Sequence, residues 1–187
     1  MLVHHATAVP GAPGIPAVSP ETGSTGSTVI VYASFDDLFR SQYGRLVGAL
    51  RLAGADADRA EDIAQEAMTR TLSRWRRVRS GPNPAGYVYT TAFRLLRKRV
   101  GVPTTPADLE PLAALAAVDG PEALVTSRDV VLRTMASMPP QRRACAVAVL
   151  HVGLTPEEAG QALGVQASTV RAQVARARTD LRTALGS

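Results

Sequence analysis

The sequence predicts an all-α protein of two small helical domains joined by a flexible linker. Three observations carry that expectation. Alanine and aliphatic residues recur at spacings of three and four, while alternating β-branched runs are scarce. Helix caps and stops (Ser, Thr and Asp ahead of apolar runs, Gly and Pro behind them) punctuate the chain at helical intervals. The charges also fall in blocks. Residues 1–35 hold one acid and no base, 36–100 thirteen bases against seven acids, 101–127 four acids and no base, and 128–187 eight bases against four acids. Two basic blocks around an acidic connector suggest two nucleic-acid-facing modules on one tether.

Taken in order, residues 1–33 are rich in Pro, Gly, Ser, Thr and Ala, and read as a disordered tail or as translation from an upstream start codon. A first helix is expected from a Ser34 cap through Phe35, Leu38, Tyr43, Leu46, Val47, Leu50 and Leu52 to Gly54. A second starts at Asp56 or Asp58, the latter with Glu61 in capping-box position. It runs to about Trp75, burying Ala60, Ile63, Ala64, Ala67, Thr71 and Trp75, with Asp62, Gln65 and Glu66 on the other side. Prolines 82 and 84 forbid helix across Arg79–Pro84. A third helix spans about Ala85–Val100. The connector, 101–126, contains Pro103, Pro106, Pro111 and Pro121, with a helical turn or two possible in Leu109–Val118. Three or four further helices begin near Ser127.

The end of the chain carries the sharpest signal. Thr155 caps a helix whose first residue is Pro156, and Glu158 stands where a capping-box partner reaches back. Gly164 supplies a left-handed stop. A second helix then buries Val170, Val174, Ala177 and Leu181 and carries Arg171 and Arg178 on another stripe, with Ser168, Ala172 and Ala175 nearby. Short helix, glycine turn and basic helix form a helix-turn-helix, whose second helix enters a DNA major groove. An arginine there bonds bidentately to guanine or grips phosphate, and the sequence does not distinguish the two.

Other chemistry is poorly supported. The single cysteine, Cys145, lies in an apolar run and suits a small buried hydrophobe. His4, His5 and His151 have no ligand spacing, and His151 is expected to end its helix in favour of the dipole. No cofactor, metal or catalytic set is expected. No apolar run reaches membrane-spanning length and no signal peptide is evident, so cytoplasmic residence is expected.

Two surfaces remain. The acid-amide patch on the second helix is either an ordinary solvated face or a dock for a basic partner. All eight aromatic residues lie between Tyr32 and Phe93. Most residues so spaced are core, yet Trp75, Tyr87, Tyr89 and Phe93 interleave with Arg74, Arg76, Arg77, Arg79 and Arg94, as a platform for unstacked bases would.

In order and spacing, these parts resemble a bacterial RNA polymerase sigma factor of the small extracytoplasmic-function (ECF) group, over about residues 34–100 and 127–184. Phe35-Asp36-Asp37-Leu38-Phe39 resembles the family's opening helix. Glu61-Asp62-Ile63-Ala64-Gln65-Glu66-Ala67 is similar to its core-polymerase docking segment, and Trp75 to the tryptophan that follows. Asn83-Pro84-Ala85-Gly86-Tyr87-Val88-Tyr89 through Arg99 resembles the segment that recognises and melts the minus-ten element. Met138-Pro139-Pro140 with Arg143, and Ser168-Thr169-Val170-Arg171 with Arg176-Ala177-Arg178, resemble the domain that reads the minus-thirty-five element. The chain departs from the pattern at Thr91-Ala92-Phe93-Arg94, where Ile-Ala-Arg-Asn is frequent, and at Gln166 and Gln173.

The resemblance implies region 2 at 34–100, a linker at 101–126 and region 4 at 127–187. It implies that Asp62, Gln65 and Glu66 bind core polymerase through its β and β′ subunits. Trp75, Arg76, Arg79, Asn83, Tyr87, Tyr89, Arg94, Arg97 and Lys98 would contact the minus-ten region. Arg143, Ser168, Thr169, Arg171, Ala172, Gln173, Ala175, Arg176 and Arg178 would contact the minus-thirty-five region. Promoter DNA and a separate anti-sigma factor are the other implied partners. Two alternatives stay open: a helix-turn-helix regulator acting without polymerase, which leaves the 79–84 loop without a role, and a nucleic-acid-modifying enzyme, for which no suitable set of residues is evident.

Overall fold

A computed structural model of the chain describes residues 32–100 and 122–186. The tail and the 109–118 turn fall outside them. Among the described residues the secondary structure is helical throughout.

Helix α1 spans Phe35–Leu52. Ser34 Oγ accepts the Asp37 N–H at 3.2 Å and the Asp37 carboxylate accepts the Ser34 N–H at 3.0 Å, a reciprocal cap. Helix α2 spans Ala57–Leu72, and Asp56, rather than Asp58, caps it by accepting the Arg59 N–H at 2.9 Å. Its buried stripe of Ala60, Ile63, Ala64, Ala67 and Thr71 is the expected one. Trp75 is not part of it. The helix stops at Leu72, Arg74 leaves helical geometry at φ −117° and ψ 15°, and a short turn α3, Trp75–Val78, begins anew. That break swings the indole edge-on to Phe35, with centroids 5.8 Å apart. Helix α4 spans Pro84–Val100. Proline suits a first helical position because its missing N–H is not needed there. Helices α1, α2 and α4 pack on one another as a bundle.

The second half contains α5 (Glu122–Ser137), α6 (Pro140–Ala146) continued by a π-helical turn (Val147–His151), α7 (Pro156–Leu163) and α8 (Ala167–Ala184). Helix α5 starts five residues ahead of the expected boundary at Ser127. Thr155 and Glu158 form the expected capping box, at 3.1 and 2.8 Å. Gly164 takes φ +70°, the left-handed cap that glycine adopts without penalty. Val170, Val174 and Ala177 are buried against the preceding helices, and Leu181 packs at the edge of the core.

The two halves are not separate in this arrangement. Helix α4 packs across α7, and α1 touches the π turn and α5. One apolar cluster runs from Leu38 and Phe93 in the first half through Ala146 and Val147 to Val170 in the second. Chain length allows one or two small domains, and among the described residues one continuous core is found.

Candidate polymerase and nucleic-acid interfaces

The acid-amide ledge is a consequence of the α2 stripe. Because Ile63, Ala64 and Ala67 turn inward, Asp62 and Gln65 are exposed and Glu66 is half-buried at the margin. Glu66 is already engaged. One carboxylate oxygen accepts from Arg70 on the same helix and the other from Arg99 at the end of α4. Asp62 lines a shallow cavity with Arg59, Ile63 and Arg99. Leu72, 53 % exposed, adds an apolar edge at the far end of the helix. Arg99 was not among the expected site residues, because one sequence spacing cannot show that α4 ends beside α2.

The expected minus-ten residues divide into three groups. Asn83, Tyr87 and Arg94 line a cavity of about 700 Å³ together with Arg74, Arg77 and Thr90. Arg94, Arg97, Lys98 and Tyr87 line a smaller cavity of about 290 Å³ next to Arg70 and Arg74. Arg76 and Arg79 are exposed and line neither. Arg74 and Arg77 take the cavity positions instead, three apart on the short turn, and Arg74 donates to the Tyr87 hydroxyl at 3.1 Å. Asn83 does double duty at the cavity edge. Its side-chain oxygen accepts the Gly86 N–H at 2.8 Å, which serves the start of α4.

Two aromatic residues expected on that platform lie elsewhere. Tyr89 is buried, and its hydroxyl donates to Gln42 at 3.2 Å while Gln42 donates to Tyr32 at 3.0 Å. Burial pushes its phenol up to about 12. It is therefore a core residue tying α4 to α1. A spacing signal existed, since Tyr89, Phe93 and Leu96 share one inward stripe. Trp75 is held against Phe35 and is half-buried.

On the helix-turn-helix, Ser168, Arg171, Ala172, Ala175 and Arg178 are exposed and follow one outer stripe of α8. Arg176 is exposed beside it, and Thr169 and Gln173 are half-buried at its flanks. Arg171 pairs with Glu157 of α7, which ties the two helices across the turn. Arg143 is the exception. It is 1 % exposed, and its guanidinium donates to the Ala136 carbonyl at 3.4 Å, inside the junction of α5 and α6. Burial pulls its pKa down. Its half-buried neighbour Arg142 pairs with Asp180 at 2.7 Å and braces α6 against α8.

The remaining titratable groups behave as structural residues. Cys145 is buried and its thiol is pushed up to about 11 by desolvation, which makes it unreactive. His151 is the last residue of the π turn. Desolvation, and secondarily Arg45 on α1, lower its pKa. No helix among the described residues is long and apolar enough to cross a membrane.

The chain is similar to known proteins in sequence and in fold. A family model described as Sigma-70 region 2 matches residues 38–101. The ECF RNA polymerase sigma factor SigM of Mycobacterium tuberculosis, in two strains, is 31% identical over 161 residues, covering 82% of this chain and 78% of SigM. The sigma factor RpoE of Bartonella quintana, solved in complex with the anti-sigma factor NepR, shares the fold with a TM-score of 0.52 at 16% identity. The likeness covers 81% of this chain and 96% of that one. The chain belongs to the ECF sigma factors: it binds core RNA polymerase and directs promoter-specific initiation of transcription.

Proposed function

We propose a division of that activity among particular surfaces. Residues 34–100 act as region 2. Asp62, Gln65 and Glu66 seat the chain on the β and β′ subunits, while Asn83, Tyr87, Arg94, Arg97 and Lys98, joined by Arg74 and Arg77, engage the minus-ten element as it opens. The segment from 122 acts as region 4, with Ser168, Arg171, Ala172, Ala175 and Arg178 addressing the minus-thirty-five element. The linker runs between them over the polymerase. The observation that supports this reading is that α2 carries Asp62, Gln65 and Glu66 away from its buried stripe, while α3 and α4 gather guanidinium groups around cavities lined by Tyr87.

Energetics require the polymerase. Opening on the order of ten base pairs costs about 1.4 kcal/mol per step. Two or three base–aromatic stacks return about 1–3 kcal/mol each. The chain alone cannot hold a bubble open, so the α2 ledge matters as much as the DNA contacts. The chain acts in the cytoplasm, catalyses no reaction itself, and is held in check by a separate anti-sigma factor, by analogy with the NepR-bound relative. A run-off transcription assay with purified core polymerase on the chain's own upstream promoter tests the reading. A transcript that depends on the added chain supports it. Operator binding by the chain with no effect on core polymerase would favour a polymerase-independent regulator.

A further inference from the structure

We propose that Glu157 of α7 sorts the arginines of α8, aiming Arg171 at a base edge and leaving Arg176 and Arg178 to phosphate. The inference rests on the assignment of the minus-thirty-five face to α8.

The two acids that open α7 have separate tasks. The Glu158 carboxylate accepts the Thr155 N–H at 2.8 Å and completes the cap of the helix. Glu157 takes no part in that cap. Its carboxylate accepts instead from the Arg171 guanidinium, across the turn on α8. Both side chains are more than half exposed. A pair so exposed adds little to the stability of the fold. Folding alone therefore does not explain a carboxylate placed beside a face that meets a polyanion.

The neighbouring arginines differ. Arg176 and Arg178 are exposed and pair with no carboxylate among the described residues. Asp180 lies one turn beyond Arg176, yet its carboxylate accepts from Arg142 of α6 at 2.7 Å.

The consequence is chemical sorting. A carboxylate in contact with a guanidinium offsets its charge and repels any phosphate that comes as near. Base edges are neutral, and they are read by hydrogen-bond geometry rather than by net charge. A guanidinium has several N–H donors, so the Glu157 contact leaves others for guanine O6 and N7. The same contact restricts a flexible stem, so less rotamer freedom is lost when Arg171 meets its base. Arg176 and Arg178 keep their full charge and free rotation, which suits phosphate. Glu157 is thus a positioning residue that acts through Arg171.

The test uses holoenzyme assembled from core polymerase and the full chain. It selects duplexes of the chain's own upstream promoter, randomised across the minus-thirty-five segment, and the bound fraction is sequenced. Arg171→Ala is expected to lower a guanine preference at one base pair about tenfold, with the salt dependence of binding unchanged. Glu157→Ala is expected to lower the preference at that same base pair about threefold. Added to Arg171→Ala, it should change nothing further there. Arg178→Ala is expected to weaken all sequences alike and to reduce the slope of log affinity against log salt by about 0.9. A Glu157→Ala motif identical to that of the wild type overturns the proposal. So does a Glu157→Ala effect that persists without Arg171, or a salt slope that falls in Arg171→Ala. Should Glu157→Ala fail to fold, Glu157→Gln, which keeps the size of the side chain, gives the same decision at the same base pair. A wild-type holoenzyme that selects no motif overturns the assignment of α8 itself, and this inference with it.

Discussion

Helices α4 and α8 are nearly equal in length and each carries a cluster of exposed basic residues, yet they differ in what lies beside those residues. On α4 the basic residues share their surroundings with neighbours: α7 packs over the helix, Arg97 lies against Gly164, and Arg99 pairs with Glu66 of α2. On α8 the reading stripe faces solvent, and Arg171 has one exposed carboxylate partner. Surface ion pairs of that kind contribute about 0–1 kcal/mol, so the Glu157 pair would hold Arg171 back from the proposed DNA contact only weakly. The contrast teaches that counting arginines along a helix does not measure a DNA-binding face. What matters is which of them a partner already holds.

The largest expected effect concerns an arginine that the comparison removes from the DNA face. Arg143→Ala empties a buried site and is expected to cost about 2–4 kcal/mol of stability, read by urea unfolding. A stable Arg143→Ala chain that loses promoter binding would return Arg143 to the DNA interface. Next is Arg171→Ala, on the open helix. Promoter affinity is expected to fall by about 1–3 kcal/mol in fluorescence anisotropy, with affinity for core polymerase unchanged. Equal loss of both would make α8 a structural element only.

Tyr89→Phe sharpens the contrast on α4. Removing the hydroxyl deprives buried Gln42 of a donor and is expected to cost about 1 kcal/mol of stability, leaving single-strand binding intact. A specific loss of single-strand binding at unchanged stability would put Tyr89 back on the platform. The smallest effect is pH-linked. His151 has a lowered pKa when folded, so the unfolded chain takes up its proton first as pH falls. Its contribution is complete above the unfolded value of 6.5 and is lost as pH falls from there through the folded pKa. Tm should therefore drop between pH 7.5 and about 5.5, and His151→Gln should flatten part of that drop. An identical pH profile in the variant would show that His151 makes no pH-linked contribution to stability.

Local chemistry was readable from sequence where it is settled within one helical turn. The Ser34 and Thr155 caps, the Gly164 stop, the α2 stripe and the α8 faces all depend on spacings of three or four residues. What sequence could not show depends on tertiary neighbours. The helical pattern through Leu72 continues to Trp75, and spacing does not show that the chain breaks at Arg74 and sets the indole against Phe35 of α1. Arg143 carries a charge and reads as a surface residue, yet its stem and guanidinium are enclosed where α5 meets α6. The continuity of the two cores follows from α4 meeting α7, two segments with no shared motif. In the site, the ledge on α2 was legible because burial of its other face dictates it. Which of Arg74, Arg76, Arg77 and Arg79 line the cavity was not, since a four-residue turn sets those directions.

The ledge gives the most direct test of the central claim that polymerase docking and DNA recognition occupy separate faces of one small helical body. Core polymerase lacking a sigma subunit is titrated with the labelled chain and with its Gln65→Ala, Glu66→Ala double variant. The wild-type chain should bind, and the variant should keep its helical content and duplex affinity while losing core affinity at least about tenfold, some 1.4 kcal/mol. Equal core affinity for both chains, or no binding by either, would contradict the assignment of this face to the polymerase.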